Sequence, residues 1–245
     1  MRNLLDSLVD QRVRVYFHDK RAVGLSLGII VNGKAFFYNY GEARKGNGRL
    51  PTKTTLYEIG SLTKTFTGIL LAQAVIDKRI NLNDDIRKYI TGTYPNLVYD
   101  GVPIRISNLA NHTSRITRIF PNLWERDSYR EDDPYSNYTR QLLFEGLRTM
   151  KMDTLPGRIY SYSNMAVGLL GCILEDLYKD RYLNLVSKYI LIPLTMNETR
   201  IDLSDLPAAQ TGYLQNEGYF PDMIGWKYPV ILLTGNIALQ GSYSE

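Results

Sequence analysis

The stretch Ile59-Gly60-Ser61-Leu62-Thr63-Lys64-Thr65-Phe66-Thr67 decides how the rest of the chain is read. It follows a polar loop around Gly46–Lys53, and Phe66, Ile69, Leu70 and Ala74 then recur at helical spacing. That pattern predicts a helix opening at Gly60-Ser61 and ending near Arg79. Ser61 and Lys64 stand three residues apart, so the helix brings both to one face. An amine held there, kept neutral by burial or by nearby positive charge, can take the proton of a serine hydroxyl. The plainer reading has Ser61 capping the helix and Lys64 in solvent.

Upstream, Leu4, Leu5, Leu8, Val9, Val13 and Phe17 predict an opening helix to about Lys20. Gly24–Val31 and Lys34–Tyr40 are apolar and aromatic runs joined by Asn32-Gly33, both of which tolerate the positive φ of a tight hairpin turn. Two strands alone are marginal in water, so the sheet needs further strands, which the sequence does not clearly supply before it stops. Downstream, helices are predicted at Asp84–Ile90, Ile106–Asn111, Tyr138–Met150, Asn164–Tyr178 and Tyr182–Ile190. No repeat or linker divides the chain. The expectation is one domain over residues 1–245: a helix and strands over 1–60, a mainly helical region over 61–206, and a loop-rich end over 207–245.

Composition narrows the function classes. With 44% hydrophobic and 22% charged residues among 245, a mostly disordered chain is excluded. Apolar segments such as Ala166–Leu174 are too short to span a bilayer, and no leader segment opens the chain, which predicts a soluble protein as written. The single cysteine, Cys172, excludes an internal disulfide or a multi-cysteine metal site, and falls in an apolar helical stretch where a buried thiol is expected. Two histidines, His18 and His112, leave little for a histidine metal centre, and Glu131-Asp132-Asp133 reads as a solvated loop. The net charge of +4 is spread among interleaved acids, so no nucleic-acid stripe is evident.

A second element lies far downstream. Tyr162-Ser163-Asn164 follows Pro156-Gly157 at the entry to the apolar helix. A phenol there can carry protons, and an amide can hold a carbonyl. The plainer reading makes Asn164 the helix N-cap, with Tyr162 packed beneath it. Gly24-Leu25-Ser26-Leu27-Gly28 also fits the Gly-x-Ser-x-Gly pattern of α/β-hydrolases. That elbow needs a strand, a sharp turn and a helix, whereas Ser26 runs on into a hairpin strand.

Together these blocks resemble the serine β-lactamase and penicillin-binding-protein superfamily, in its class C β-lactamase, DD-peptidase and esterase branch. The likeness is carried by Ile59–Thr67, by Ile106-Ser107-Asn108-Leu109-Ala110-Asn111-His112-Thr113-Ser114, by Pro156-Gly157 with Tyr160-Ser161-Tyr162-Ser163-Asn164, by Pro193-Leu194-Thr195-Met196 with Thr199, and by Gly212-Tyr213. It implies an α+β, β-lactamase/transpeptidase-like fold, a small antiparallel sheet packed against a larger helical region, with C-terminal strands missing. It further implies Ser61 as nucleophile, Lys64 as proton acceptor, Tyr162 as second proton carrier, and Asn164 as a partner of substrate and lysine. The Ser61 amide would form half of an oxyanion hole. His112 would belong to a structural segment. No metal or organic cofactor is implied. Substrates would be D-Ala-D-Ala peptides, including those of peptidoglycan, β-lactams, or small esters and amides. The location would be extracytoplasmic, with the leader absent from this sequence.

The departures are as specific. The family's third motif, a Lys or His followed by Ser/Thr and Gly, has no match: Gln210-Thr211-Gly212 and Leu233-Thr234-Gly235 both lack the cation. Arg115 and Thr195 stand where glycines are usual, which puts local loop shape in question. The competing expectation is therefore a non-catalytic penicillin-binding or sensor-like module, or a truncated inactive homologue.

Overall fold

In the computed structural model, the described residues are 4–19, 22–43, 45–52, 55–129, 135, 138–199, 232–234 and 240–243. Their contacts gather into two units. One runs through Gly60 and takes in the strands near the C-terminus; the other is centred on Ser61–Asn197.

The first unit grows from the hairpin. β1 (Ala22–Val31) and β2 (Lys34–Gly41) pair antiparallel with Gly24 opposite Gly41 and Val31 opposite Lys34. Between them Asn32 and Gly33 take φ of 50° and 75°, the two left-handed residues that let a two-residue turn match the strand twist. Helix α1 (Leu4–Tyr16) buries Val9 and Val13 with Leu25 of β1. Asp6 and Asp10, one turn apart on α1, accept hydrogen bonds from Tyr38 (2.8 Å) and Tyr40 (2.7 Å), alternate residues of β2. Helical and strand periods thus coincide at that contact.

The sheet does find a third strand. β3 (Leu56–Glu58), which leads toward Ser61, pairs antiparallel with β6 (Leu232–Thr234), while β7 (Gln240–Tyr243) pairs antiparallel with β1 to give the order β2-β1-β7. The residues from 240 to 243 carry Gly and Ser and no alternation of apolar side chains, so pattern alone gives no strand there. Leu233-Thr234 lies on β6; Gln210-Thr211-Gly212, Gly212-Tyr213 and Glu131-Asp132-Asp133 lie outside the described residues.

The second unit is helical around α5 (Asn164–Tyr178), which buries Met165–Val167 and Leu169–Leu174, Cys172 among them. A helix apolar on all sides belongs in a core. α2 (Thr63–Ile76), α3 (Ile106–Ala110), α4 (Arg140–Thr149) and α6 (Tyr182–Val186) pack on it. A short hairpin, β4 (Val98–Tyr99) and β5 (Val102–Pro103), turns at Asp100-Gly101, again both left-handed.

Two helices differ from expectation. Asp84–Ile90 forms only a 3-10 turn at Ile86–Lys88, because its backbone bonds elsewhere: Ile86 N–H to the Ile104 carbonyl, and Ile106 N–H to the Asp84 carbonyl, both 3.0 Å. The Tyr182–Ile190 helix stops at Val186 and widens into a π turn over Ser187–Leu191. Arg115 and Thr195 both take a left-handed backbone, with φ of 64° and 55°. Such a conformation costs a non-glycine residue about 1–2 kcal/mol. At Arg115 the guanidinium is held by a two-pronged bond to Asp153, at 2.9 and 2.7 Å. Among the described residues no helix is long and apolar enough to cross a membrane.

Candidate active site

Ser61 sits in the 3-10 turn Gly60–Leu62 that runs into α2, after a left-handed Gly60 (φ 50°). Lys64 is the second residue of α2. One turn of helix brings its Nζ to donate to Ser61 Oγ at 3.2 Å. Ser61 is exposed, and its Oγ also hydrogen-bonds the Tyr162 hydroxyl at 2.6 Å, 101 residues away in sequence. Lys64 Nζ lies 4.8 Å from the centre of the Tyr162 ring, so hydroxyl, amine and phenol converge.

Tyr162 is held by the backbone on both sides. The 157–163 stretch lies against the turn after α3: Gly157 N–H donates to the Thr113 carbonyl and Ser161 N–H to the His112 carbonyl, both 2.8 Å. Asn108 braces that turn, accepting from Arg105 N–H (2.9 Å) and donating to Thr113 Oγ1 (3.0 Å). The N-cap of α5 is Ser163, not Asn164. The fully buried Ser163 hydroxyl accepts from Ala166 N–H at 2.9 Å and donates to the Thr117 carbonyl at 2.8 Å. A capping serine placed directly after Tyr162 fixes where that side chain leaves the backbone.

Asn164, the first helical residue, donates its Nδ2 to the Tyr135 hydroxyl at 3.3 Å, while its buried Oδ1 has no hydrogen-bond partner among the described residues. The expected bond from Asn164 to Lys64 is not formed; Tyr135 takes the amide instead. Tyr135 is 1% exposed, so it is core packing beneath the site, whereas Trp124 is 50% exposed. Arg118 places its guanidinium carbon 5.8 Å from the Tyr162 ring centre, and its carbonyl accepts from the Asn164 and Met165 amides at 3.2 and 3.4 Å.

His112 is the residue that sequence reasoning passed over. Its imidazole lies 4.4 Å from the Tyr162 ring at an interplanar angle of 34°, and its Nδ1 accepts from Ser163 N–H at 3.2 Å. Burial first, and then the charge of Lys64, hold its pKa below the ordinary histidine value of 6.5. A neutral ring with Nδ1 accepting carries its proton on Nε2. These partners lie about fifty residues downstream, beyond any local pattern. Ser26, by contrast, is 2% exposed within β1, bonded to Asn39 Oδ1 (2.7 Å) and the Tyr57 hydroxyl (2.8 Å), with no elbow around it.

These contacts join a serine hydroxyl, a phenol and an amine on an α+β frame. The chain belongs to the beta-lactamase family, whose model matches residues 5–223. It is 32% identical over 192 residues to the D-alanyl-D-alanine-carboxypeptidase/endopeptidase AmpH of Escherichia coli K12, covering 78% of this chain and 49% of that protein. It is 30% identical over 214 residues to a beta-lactamase of Providencia stuartii, covering 86% of this chain and 50% of the relative. Among solved structures, a beta-lactamase/D-alanine carboxypeptidase from Yersinia pestis superposes with a TM-score of 0.80 at 26% identity, over 94% of this chain and 65% of that one. The chain thus spans about half the length of the curated relatives it matches.

Proposed function

We propose that this chain carries the acyl-transfer centre of a serine hydrolase acting on an amide, β-lactam or ester. Ser61 is the nucleophile, and Lys64 and Tyr162 move the protons. The observation that carries the reading is the meeting of three groups: Ser61 Oγ lies 2.6 Å from the Tyr162 oxygen and 3.2 Å from Lys64 Nζ.

As the Ser61 oxygen bonds to a carbonyl carbon, its proton passes into the Lys64–Tyr162 pair, which enters the step one proton short; both groups lie within transfer distance. The tetrahedral oxyanion is met by the Ser61 backbone N–H. Its collapse breaks the bond to the leaving nitrogen or oxygen, which takes a proton from Tyr162, and leaves an ester on Ser61. Water then adds to the ester and gives up its proton to the same pair; the bond from Ser61 Oγ to the acyl carbon breaks, Ser61 takes a proton back from the pair, and the acid leaves. Asn164 is assigned to the substrate's carbonyl, its Nδ2 donating there in place of the Tyr135 hydroxyl it meets without substrate. The names of the relatives point to D-alanyl-D-alanine peptides and β-lactams as the substrates to try first.

A labelled penicillin and a fluorophosphonate probe test this together. The expected result is one covalent adduct, at Ser61, lost in Ser61→Ala and kept in Ser26→Ala. A folded protein that neither reagent labels refutes the proposal. A penicillin adduct that forms but is never released favours the binding-only module.

A further inference from the structure

We propose that His112 is the positioning residue of the site, fixing the Tyr162 phenol against Ser61 from the residues on either side of it and from the face of its ring. The inference rests on the reading of Ser61 and Tyr162 given above.

Three contacts converge on one side chain and its own carbonyl. Ser161, before Tyr162, donates its N–H to the His112 carbonyl at 2.8 Å. Ser163, after it, donates its N–H to His112 Nδ1 at 3.2 Å. The imidazole then covers the phenol ring, 4.4 Å between centres, and the edge of Tyr160 closes on the imidazole at 5.8 Å and 82°. His112 itself takes a left-handed backbone, φ 61°, a conformation in which Asn, Asp and His are several-fold enriched. The hydroxyl of Tyr162 bonds only to Ser61 among the described residues, so nothing at its tip fixes the phenol independently.

Only the neutral imidazole can do this. A proton on Nδ1 would face the N–H of Ser163, donor against donor. The charged and titratable groups around the ring are Lys64 from α2, Tyr160 and Tyr162 from the 157–163 stretch, and Arg118 against the Tyr162 ring; no carboxylate is recorded among them. A second positive charge beside Lys64 is opposed by that charge as well as by burial. As the pH falls through the pKa of His112, which lies below 6.5, the acceptor is lost and the phenol is released from its place.

The test is the rate of Ser61 labelling by fluorophosphonate against pH, in the parent and in His112→Asn. Asparagine tolerates the left-handed backbone and offers an acceptor that does not titrate, but brings no ring. The variant is expected to label between about tenfold and a hundredfold more slowly at pH 7.5, the scale of a misplacement of about 1 Å. The loss should fall on the limiting rate, not on the half-saturating probe concentration, and the part of the acid limb due to His112 should disappear. A variant that labels at the parental rate with the parental pH profile overturns the proposal, while a parent that shows no labelling at Ser61 overturns the reading beneath it. Nitrogen-15 spectra of the parent supply a readout that needs no variant to fold. With only two histidines in the chain, the His112 signal should show the proton on Nε2 at neutral pH, and a proton on Nδ1 refutes the clamp.

Discussion

Ser26 and Ser61 each hydrogen-bond a tyrosine hydroxyl, in surroundings that differ in access and charge. Ser26 meets Tyr57 at 2.8 Å and Ser61 meets Tyr162 at 2.6 Å. Ser26 lies in the middle strand of its sheet, buried, with Asn39 from the facing strand as its other partner. Ser26 and Tyr57 are both buried, and among the described residues no amine bonds to either. Around Tyr57, burial raises the phenol's pKa, only partly countered by the bond from Ser26, so it stays a neutral hydroxyl. Ser61 is exposed at a helix start, and its other partner is the Lys64 nitrogen, not an amide. The serine–tyrosine bond is common to both; access and the nature of the third group separate the two clusters.

The largest effects should fall on the exposed cluster. Lys64→Ala is expected to slow acylation of Ser61 by about 10²–10⁴-fold, the range for a positioned proton-transfer group, and Tyr162→Phe by an amount at the lower end of that range. Stopped-flow labelling measures both. Because Lys64 and Ser61 are not buried, thermal midpoints should barely move, and a Lys64→Ala midpoint that collapses would make the lysine a structural residue instead.

The geometry of the Ser61 cluster was largely legible in sequence because half of it is local. A spacing of three on one helix joins Ser61 to Lys64, and the bounds of α5, Asn164–Tyr178, follow from its unbroken apolar run. The hairpin was equally plain, since Asn32-Gly33 names its own turn. What could not be read depends on partners distant in the chain. Residues 240–243 become a strand only because β1 offers a free edge. Asp84–Ile90 gives up a helix for bonds to Ile104 and Ile106. His112 matters through Ser163 and Tyr162, which a fold must bring back to it.

The buried cluster should show the opposite profile. Ser26→Ala leaves both Asn39 Oδ1 and the Tyr57 hydroxyl without a partner inside the sheet, at a cost of about 1–3 kcal/mol. Urea unfolding of Ser26→Ala and Ser61→Ala side by side checks this. Ser61→Ala is expected to stay within about 0.5 kcal/mol of the parent, as exposed substitutions do. Equal losses in the two variants would erase the distinction between the clusters.

The smallest expected effect separates the clusters by the sign of their pH dependence. His112 has a native pKa below 6.5, so just under that value the unfolded chain binds a proton that the folded chain refuses. The stability it contributes is present above 6.5 and is lost as the pH falls toward the native value. Tyr57 has a native pKa above 10.0, so the unfolded chain releases its proton first as the pH rises past 10. Its contribution is complete below 10 and is lost on the alkaline side. Urea midpoints measured against pH should therefore flatten on the acid side in His112→Asn and on the alkaline side in Tyr57→Phe. If His112→Asn instead left the acid slope untouched, the imidazole would be as free in the folded chain as in the unfolded one, and the crowding by Lys64 and the Tyr162 ring would have no energetic consequence.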